Sequence, residues 1–351
     1  MARTTRLIIG GVDTHAATHH AAVIDLHGRL LDDAESAASP AGYTQLLAWM
    51  RTRGPLQSVG IEGTGAYGAG LARHLHERGV EVLEVPRPDR RLRRQRGKSD
   101  PIDGEAAARA VLAGNACGAP KLATGRIEAI RMLRVARTGA VKAKTAAANT
   151  LLAVVVTAPE PLRSQLRHMS TAKLIDACLR LRPDTANLGD PVQAAKLSLR
   201  SIATRARALD AEARGLKKQL DTLTVAAAPA TSAIFGLGPD TTAALLVAIG
   251  DNPDRLRSEA AFARLCGVAP IPASSGKTNR HRLHRGGDRS GNRALHIAVV
   301  VRLRYDPRSR DYASRRTTEG LSMPEIIRCQ KRYLAREVFT ALRADYALIT
   351  T

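Results

Sequence analysis

The chain contains few aromatic residues and few cysteines. Phe, Trp and Tyr make up 3% of its 351 residues, which argues against a single-strand binder that relies mainly on a platform of exposed rings to stack bases. The cysteines lie far apart with no C-x-x-C pair, so neither a disulfide framework nor a zinc site is predicted. We expect reduced and mostly buried thiols at Cys117, Cys178, Cys266 and Cys329.

Long hydrophobic runs are also missing. No apolar run in the sequence approaches the roughly 20 residues that a membrane-spanning helix needs. The run over residues 7–12 is too short for the core of a signal peptide, and no small-residue cleavage site follows it. We therefore expect a cytoplasmic protein without a membrane partner.

Acidic residues are scarce relative to basic ones. The chain has 32 Asp and Glu against 54 Lys and Arg, which gives a formal net charge of +22. Such an excess favours nucleic acid or an anionic membrane surface as partner, and the lack of a spanning apolar run disfavours the membrane. Apolar residues make up 44% of the chain, enough for a packed core in two or three domains.

The first third of the sequence predicts an α/β domain. Residues 7–12, 21–26 and 29–33 are predicted strands, and a helix is predicted to begin at Ser39-Pro40. Strands over 58–62 and 80–85, with a helix over 67–78 between them, complete the pattern. Three strands followed by alternating helix and strand is the order of a ribonuclease-H-like sheet. Leu46, Leu47, Trp49 and Met50 are the predicted core residues of the first helix.

The remainder is predicted to be helical. Apolar residues recur at spacings of three and four over residues 193–225, which indicates one long helix packed on another helix or on a second subunit. Residues 225–231 are interpreted as a linker, and 274–293 as a Gly/Arg-rich loop followed by helices to the end. We predict a sheet domain over 1–120, a helical coiled-coil dimerisation region over 121–228, and a mainly α C-terminal domain over 229–351.

Four carboxylates stand where such a sheet would gather them. Asp13 ends the first predicted strand and Glu62 ends the fourth, and side chains at the carboxyl ends of neighbouring parallel strands converge. Asp100 and Asp103, three apart at a helix start, share one face. The set predicts a site for two Mg²⁺ ions that polarise a phosphate. Alternatively, Asp100 caps the helix and Asp103 favours its first turn through the helix dipole.

A rival interpretation uses the same residues. Gly11-Val12-Asp13-Thr14 also resembles the phosphate loop of actin-like sugar and acetate kinases, which share this sheet. Those enzymes need a second similar domain with its own Gly-rich loops, and the sequence contains no such repeat. The net charge also favours a polymer over a sugar as substrate.

Basic and glycine-containing segments supply candidate contacts with nucleic acid. The run over 87–98 carries five of them, and Gly236-Leu237-Gly238-Pro239 resembles a helix-hairpin-helix turn that approaches a phosphate through its backbone N–H groups. The Gly/Arg-rich loop supplies the rest. The candidates are Arg90, Arg91, Arg93, Arg94, Lys98, Gly236, Gly238, Lys277, Arg280, Arg282, Arg285 and Arg293.

A serine stands beside a glycine in the Arg-rich loop. Ser275 precedes Gly276, and arginines around it would stabilise a pentacoordinate phosphorane. Serine is a poor nucleophile unless it is activated. From the residues alone, a solvated basic loop that binds phosphate passively, with Ser275 as a turn residue, is the competing interpretation.

Together these motifs resemble the insertion sequence 110 family of DEDD transposases over nearly the full length. The order and identity of the motifs carry the resemblance. They are Gly11-Val12-Asp13-Thr14, Ile61-Glu62-Gly63-Thr64-Gly65-Ala66-Tyr67, Lys98-Ser99-Asp100-Pro101-Ile102-Asp103, Gly236-Leu237-Gly238, Phe262-Ala263-Arg264-Leu265-Cys266-Gly267-Val268-Ala269-Pro270, Ser274-Ser275-Gly276 and Gly291-Asn292-Arg293.

The resemblance implies a RuvC-like N-terminal domain and a C-terminal transposase domain. Asp13, Glu62, Asp100 and Asp103 would form the metal-binding tetrad for Mg²⁺, and Ser275, with Ser274 as the adjacent alternative, would join covalently to DNA. A structured bridge RNA would pair with donor and target DNA, so that base pairing reads the sequence. Dimers would pair into a tetramer in which the acids of one subunit meet the serine of another, in the nucleoid of a prokaryotic cytoplasm.

Two other functions compete with an RNA-guided serine recombinase. One is a metal-dependent nuclease of the junction-resolving type, which cleaves with water and does not need Ser275. The other is a non-catalytic nucleic-acid-binding protein whose acids are structural.

Overall fold

The computed structural model describes residues 6–86, 100–116, 118–252, 257–276 and 281–349. The chain forms two compact units. The first combines Met1–Glu128 with Ala244–Thr351, and the second is Ala129–Ala243. The division into three domains at 120 and 228 stays a prediction.

The N-terminal part of the first unit is built on a five-stranded mixed sheet. Its strand order is β3-β2-β1-β4-β5. The first three strands pair antiparallel, while β4 pairs parallel with both β1 and β5. The elements in chain order are β1 Ile8–Thr14, β2 Thr18–Asp25, β3 Leu30–Ala37, α1 Pro40–Arg53, β4 Leu56–Glu62, α2 Ala69–His76, β5 Glu81–Val85 and α3 Asp100–Leu112.

Apolar side chains cover both faces of the central strand β1. On one face Ile8 and Val12 join a core with residues of α1 and α2. On the other face Ile9 packs with Ile24 and with Ala108 of α3. Burial on both faces explains why this strand is a continuous apolar run rather than an alternating pattern.

The helix predicted at Ser39-Pro40 is confirmed as α1. The Ser39 side chain accepts a hydrogen bond from the Gly42 N–H at 3.2 Å, so it caps the helix, and proline occupies the first turn. Three of the predicted core residues are buried. The fourth, Trp49, is only partly buried, and its indole N–H donates to an Asp32 carboxylate oxygen at 3.3 Å. The buried residues are Leu46, Leu47 and Met50.

Two paired glycines let α3 lie directly on the sheet. Gly11 of β1 and Gly60 of β4 are neighbours in register. A Cβ at Gly11 would lie 2.1 Å from the Ala108 nitrogen, and one at Gly60 would lie 2.8 Å from the Ala107 carbonyl oxygen. The backbones therefore meet with no room for side chains, and this contact fixes where α3 begins relative to the end of β1.

We expect Gly11→Ala to lower the free energy of unfolding by about 3 kcal/mol, because the added methyl group cannot fit against the backbone of α3. Urea denaturation of the purified protein measures the change. Gly65→Ala is the matched control, since no atom lies within 4 Å of the Cβ position at Gly65. Equal stability of the two variants would contradict the proposed close contact.

The second unit is helical. The long helix α7 (Pro191–Ala227) packs on α4 (Gly125–Thr157) and α6 (Thr171–Leu179) of the same chain. Leu151, Leu174 and Leu199 lie in one core cluster. Lys144 and Asp210 join α4 to α7 by an ion pair of 2.8 Å. The elements here are α4 Gly125–Thr157, α5 Leu162–Leu166, α6 Thr171–Leu179, a 3-10 turn Thr185–Asn187, α7 Pro191–Ala227 and α8 Pro229–Ser232.

The linker predicted over residues 225–231 is wrong. Helix α7 continues to Ala227, and the four-residue helix α8 follows after one residue. Alanine is the strongest helix former, and Pro229 occupies the first turn of α8, where its missing N–H costs nothing. A run of Ala, Pro and Thr therefore continues the helical path instead of interrupting it.

Helix α4 is long and apolar enough to span a bilayer by length and composition, with 22% of its most apolar window buried. This corrects the expectation that no apolar stretch approaches that length. Here α4 carries Lys144, which is paired with Asp210 on α7.

The C-terminal part of the first unit is mainly helical. The loop predicted over 274–293 extends too far, since a helix begins at Arg289. The Asp288 side chain accepts a hydrogen bond from the Gly291 N–H at 2.8 Å and caps that helix. The elements are α9 Pro239–Ile249, α10 Glu259–Leu265, β6 Ile271–Pro272, β7 His281–Arg282, α11 Arg289–Tyr305, α12 Pro307–Thr318 and α13 Met323–Ile349.

A hydrogen-bonded clasp connects two segments of the first unit that are distant in sequence. The Asp251 carboxylate accepts from the backbone N–H groups of Leu122 at 2.9 Å and Thr124 at 2.7 Å. Lys121 Nζ donates to the Val247 carbonyl oxygen at 2.6 Å. Residues 121–124 and 247–251 are thereby held together.

The expectation of reduced, mostly buried thiols is confirmed for the described cysteines. Cys178 and Cys266 are buried, Cys329 is half-buried, and all three are free thiols. Burial raises the pKa of Cys266 to about 12, with a smaller contribution from Asp288. Cys117 lies outside the described residues.

Candidate active site

Three ligand-type side chains converge at the carboxyl end of β1. His15 Nε2 lies 3.1 Å from Asp13 Oδ2 and 3.4 Å from Asp100 Oδ1. One ligand atom from each of the three residues falls within 4.8 Å of the others. Asp13 is buried, while His15 and Asp100 are half-buried, so the cluster opens to solvent on one side.

Strand alternation and the glycine pair explain this convergence. Side chains two apart on a strand share a face, so Asp13 faces the same side of the sheet as Gly11, where α3 packs. Asp100 opens α3. The close approach of α3 at Gly11 therefore brings the first helical residue over the end of the strand.

The other two predicted acids flank the cluster without entering it. Glu62 lies two residues beyond Gly60 on β4, and alternation places its side chain on the α3 side of the sheet. Asp103 lies one turn after Asp100 and is 4% exposed. The structure thus joins Asp13 to Asp100 within one ligand cluster and leaves Glu62 and Asp103 outside that 4.8 Å group.

The donor atoms fit a divalent cation. Two carboxylates supply hard oxygen ligands of the type that Mg²⁺ and Mn²⁺ accept, and an imidazole nitrogen is a common ligand of the later transition metals. His15 Nε2 lies within ion-pair distance of both carboxylates, so the imidazole stands beside both acidic groups. The same geometry holds two like charges close together, which a cation would offset.

His15 was not predicted from the sequence. Its position follows from the β1–β2 hairpin, in which the His15 N–H donates to the Thr18 carbonyl oxygen at 3.0 Å. The available signal was a histidine two residues after Asp13, just past the end of an apolar strand. Alternation places residues 13 and 15 on one side, so a histidine here belongs with the acids.

A second histidine nearby has a packing role. His19 is fully buried and stacks on Tyr43 with ring centroids 5.5 Å apart. Burial lowers the pKa of His19 below its ordinary value, and His15 adds to that lowering. The hydrogen bond of His19 to the Thr18 carbonyl and the charge of Asp13 act in the opposite direction. A neutral ring on the core side of β2 supports the strand that carries the turn.

Ser275 lies in the loop between β6 and β7. The two short strands pair antiparallel, Ile271 with Arg282 and Pro272 with His281. Ser275 is exposed, and Gly276 after it adopts a φ of 55°, which favours glycine. The serine is therefore presented at the end of a small hairpin. Ser274 beside it is also exposed.

Asn292 holds the base of this hairpin. Its Nδ2 donates to the carbonyl oxygens of Cys266 at 2.8 Å and Gly267 at 3.1 Å, and its Oδ1 accepts from Lys331 Nζ at 3.0 Å. Gly267 has a φ of 65°, and Gly287 packs on it so closely that a Cβ on Gly287 would lie 2.2 Å from the Gly267 nitrogen. The motif residues around Ser275 therefore form its structural support.

The predicted basic contacts divide into those that the structure describes and those that it does not. Arg282, Arg285 and Arg293 are exposed. Gly236 adopts a φ of 92°, and the Gly238 N–H donates to the Thr241 hydroxyl at 2.9 Å, so that amide is already engaged. The candidates outside the described residues are Arg90, Arg91, Arg93, Arg94, Lys98, Lys277 and Arg280.

Two family descriptions match separate segments of the chain. Residues 10–158 match a family described as Transposase of the DEDD IS110 type, and residues 229–314 match the Transposase IS116/IS110/IS902 family. The first segment contains all four predicted acids. The second contains Ser275 and its hairpin.

Two curated relatives come from bacterial insertion elements. An insertion element IS110 uncharacterized 43.6 kDa protein of Streptomyces coelicolor is 31% identical over 147 residues, 41% of this chain and 36% of the relative. An insertion element IS900 uncharacterized 42 kDa protein of Mycobacterium paratuberculosis is 31% identical over 114 residues, 32% of this chain and 28% of the relative. The matched part thus spans about a third of each relative's length.

Proposed function

The chain belongs to the insertion sequence 110 family of transposases, and on that premise we propose that it cuts and rejoins donor and target DNA. The observation that carries the proposal is the convergence of Asp13, His15 and Asp100 in a chain of net charge +22. Such a cluster in so basic a protein is suited to a metal ion and a polyanion together.

We infer a ribonuclease-H-like, RuvC-like fold for the N-terminal part. The order β3-β2-β1-β4-β5, with antiparallel β2 and parallel β4 beside the central strand, supports it. So does the placement of acids at the ends of β1 and β4 and at the start of α3.

Asp13 and Asp100 are the proposed direct holders of a divalent cation, which we take to be Mg²⁺, with Glu62 and Asp103 completing the tetrad. When bound, the metal supplies Lewis-acid stabilisation of negative charge on a phosphate. The chain's own contribution is to hold Asp100 against Asp13 through the contact of α3 with Gly11. His15 Nε2 lies within ion-pair distance of both carboxylates, so its imidazole would be a further candidate ligand for the cation.

Ser275 is the proposed nucleophile. Its Oγ forms a bond to phosphorus while the bond from phosphorus to one deoxyribose oxygen breaks, which leaves a phosphoserine linkage. The proton that the serine loses is balanced by the one that the released oxygen gains. Exposure at the hairpin loop gives the hydroxyl access to a DNA strand, and arginines of the same hairpin such as Arg282 would stabilise the phosphorane.

We further propose that a bridge RNA directs site choice and that the protein acts as dimers paired into a tetramer. A basic chain with 3% aromatic residues suits recognition of backbone and shape, with sequence read by base pairing. Met132, Val135 and Val156 of α4 are more than half exposed, which offers an apolar surface for a second subunit.

A metal-dependent junction-resolving nuclease is the second candidate. It is favoured because the ligand cluster consists of residues of β1, α3 and the turn after β1 alone. This enzyme would cleave with water and form no protein–DNA linkage.

Removal of divalent metal tests the proposed activity. Purified protein, the RNA transcribed beside its gene, and donor and target plasmids should give joined DNA products in Mg²⁺ and none in EDTA. Readdition of Mg²⁺ should restore them, since the carboxylates remain in place. Circular dichroism in EDTA serves as the folding control.

Products in EDTA would contradict the metal site. Joined products that form without RNA would contradict only the proposed RNA guidance, and the transposase proposal would stand. Redirection of insertion by an altered guide loop would support RNA guidance.

A further inference from the structure

A cavity of about 870 Å³ lies beside the hairpin that carries Ser275. Its walls are the turn from Gly267 to Pro270, the strand β7 with the residues after it, and one side of α13. The cavity is large enough to receive part of a nucleotide strand. The ligand cluster at Asp13 contributes no residue to its wall.

Cations dominate the cavity wall. Part of their charge is offset, since Glu259 pairs with both Arg332 and Arg336, Arg316 pairs with Glu319, and Arg328 lies 3.9 Å from Glu325. Glu325 is the acidic residue among the lining side chains. The lining cations are Arg282, Arg316, Arg328, Lys331, Arg332 and Arg336.

Lys331 differs from the other cations because it is buried. It is 7% exposed, and its ammonium group donates to Asn292 Oδ1 at 3.0 Å. Among the residues that the structure describes, no carboxylate lies within ion-pair distance of Lys331. Burial, with a further contribution from Arg328, lowers the pKa of Lys331. An ammonium group has three donors, so two remain for a ligand, and a buried cation without a counter-charge is costly.

An aromatic ring stands beside these cations. Tyr333 lines the cavity and is 49% exposed. The Arg336 guanidinium carbon lies 5.8 Å from the centre of its ring. A planar ring with a neighbouring guanidinium offers a stacking surface for a base, which a free inorganic anion would not use.

We propose that this cavity binds a backbone phosphate of a nucleic-acid strand, with Lys331 as its buried anchor and Arg328 as a second cation. The inference rests on the proposed function and adds a place where the strand is held near Ser275. Asn292 positions the anchor, because the same side chain fixes the Gly267 turn and bonds to Lys331. The phosphate supplies a counter-charge to Lys331 that no carboxylate of the described residues provides.

The test compares Lys331→Met with wild type in binding of short single-stranded DNA and RNA oligonucleotides over a series of salt concentrations. We expect binding about tenfold weaker, since a hydrogen bond to a charged group is lost. The slope of log affinity against log salt should fall by about 0.7, the contribution of one phosphate in a single strand. The DNA and RNA arms show which strand the cavity takes.

Lys218→Met is the matched control, since it removes the same charge from an exposed position on α7. It should leave affinity and slope as in wild type. Inorganic phosphate should raise the melting temperature of wild type and not that of Lys331→Met. If Lys331→Met does not fold, Arg328→Gln, at a side chain that is 45% exposed, should weaken binding and lower the slope in the same way.

The outcomes separate the two proposals. If wild type binds no nucleic acid, the proposed function fails. If wild type binds, and Lys331→Met binds equally well with an unchanged slope, the phosphate site is overturned and the proposed function stands.

Discussion

Replacement of Ser275 by alanine should abolish the covalent protein–DNA adduct and lower strand joining by about 10³-fold or more, because the substitution removes the oxygen of the proposed nucleophile. Denaturing gel electrophoresis of reactions with labelled DNA detects the adduct directly. The side chain is exposed in its hairpin loop, so the substitution leaves the fold unchanged, and DNA affinity should stay close to that of wild type.

Ser274→Ala is the matched control for this experiment. Ser274 is the adjacent exposed serine in the same loop, and its variant should retain the adduct. Adduct loss in Ser274→Ala with retention in Ser275→Ala would reassign the nucleophile. Cleavage by wild type without any adduct would favour the water-dependent nuclease instead.

Asp13→Asn should reduce strand cleavage by more than about 10²-fold. Loss of an outer-shell partner of a metal already costs roughly 10- to 100-fold, and this change removes the charge of a proposed direct ligand. The effect should appear in both cleavage and adduct formation, since the metal would act on the phosphate in each. Calorimetric titration with Mn²⁺ should show weaker metal binding in the same variant.

Glu35→Gln controls for loss of one negative charge on the same sheet. Glu35 is exposed on β3, so cleavage should be unchanged. Unchanged cleavage by Asp13→Asn would contradict the metal assignment, and an absence of cleavage by wild type in Mg²⁺ would favour a nucleic-acid-binding protein whose acids are structural. Because Asn keeps the size of Asp, a folding defect is not expected.

Much of the sheet could be predicted because its signals are local. The apolar run in β1, the Ser39-Pro40 start of α1 and the Asp100-Pro101 start of α3 each depend on neighbouring residues. The positions of Asp13 and Asp100 followed from strand ends and helix starts. The proximity of Asp13 and Asp100 depends in addition on the Gly11–Gly60 pair. That pair could not be predicted from the sequence, because it requires the register of two strands whose glycines are 49 residues apart.

The parts that escaped prediction depend on tertiary context or on competing local rules. His15 joins the acids through a hairpin turn, and Lys331 reaches Asn292 across 39 residues. The prediction of a linker over residues 225–231 is wrong because the helix propensity of alanine outweighs the presence of a proline, which is tolerated in the first turn of a helix. The late start predicted for α11 overlooked Asp288, a capping residue within a run of Gly and Arg.

The clasp between residues 121–124 and 247–251 has a consequence for how the protein can be altered. It ties the chain together close to where it leaves the sheet-bearing unit and close to where it returns. The intervening helices are thus an insert between anchored ends, the arrangement that tolerates exchange of whole domains. We therefore expect residues 129–243 to be replaceable by helices of other length or pairing preference. The acids and Ser275 would remain in the unchanged first unit.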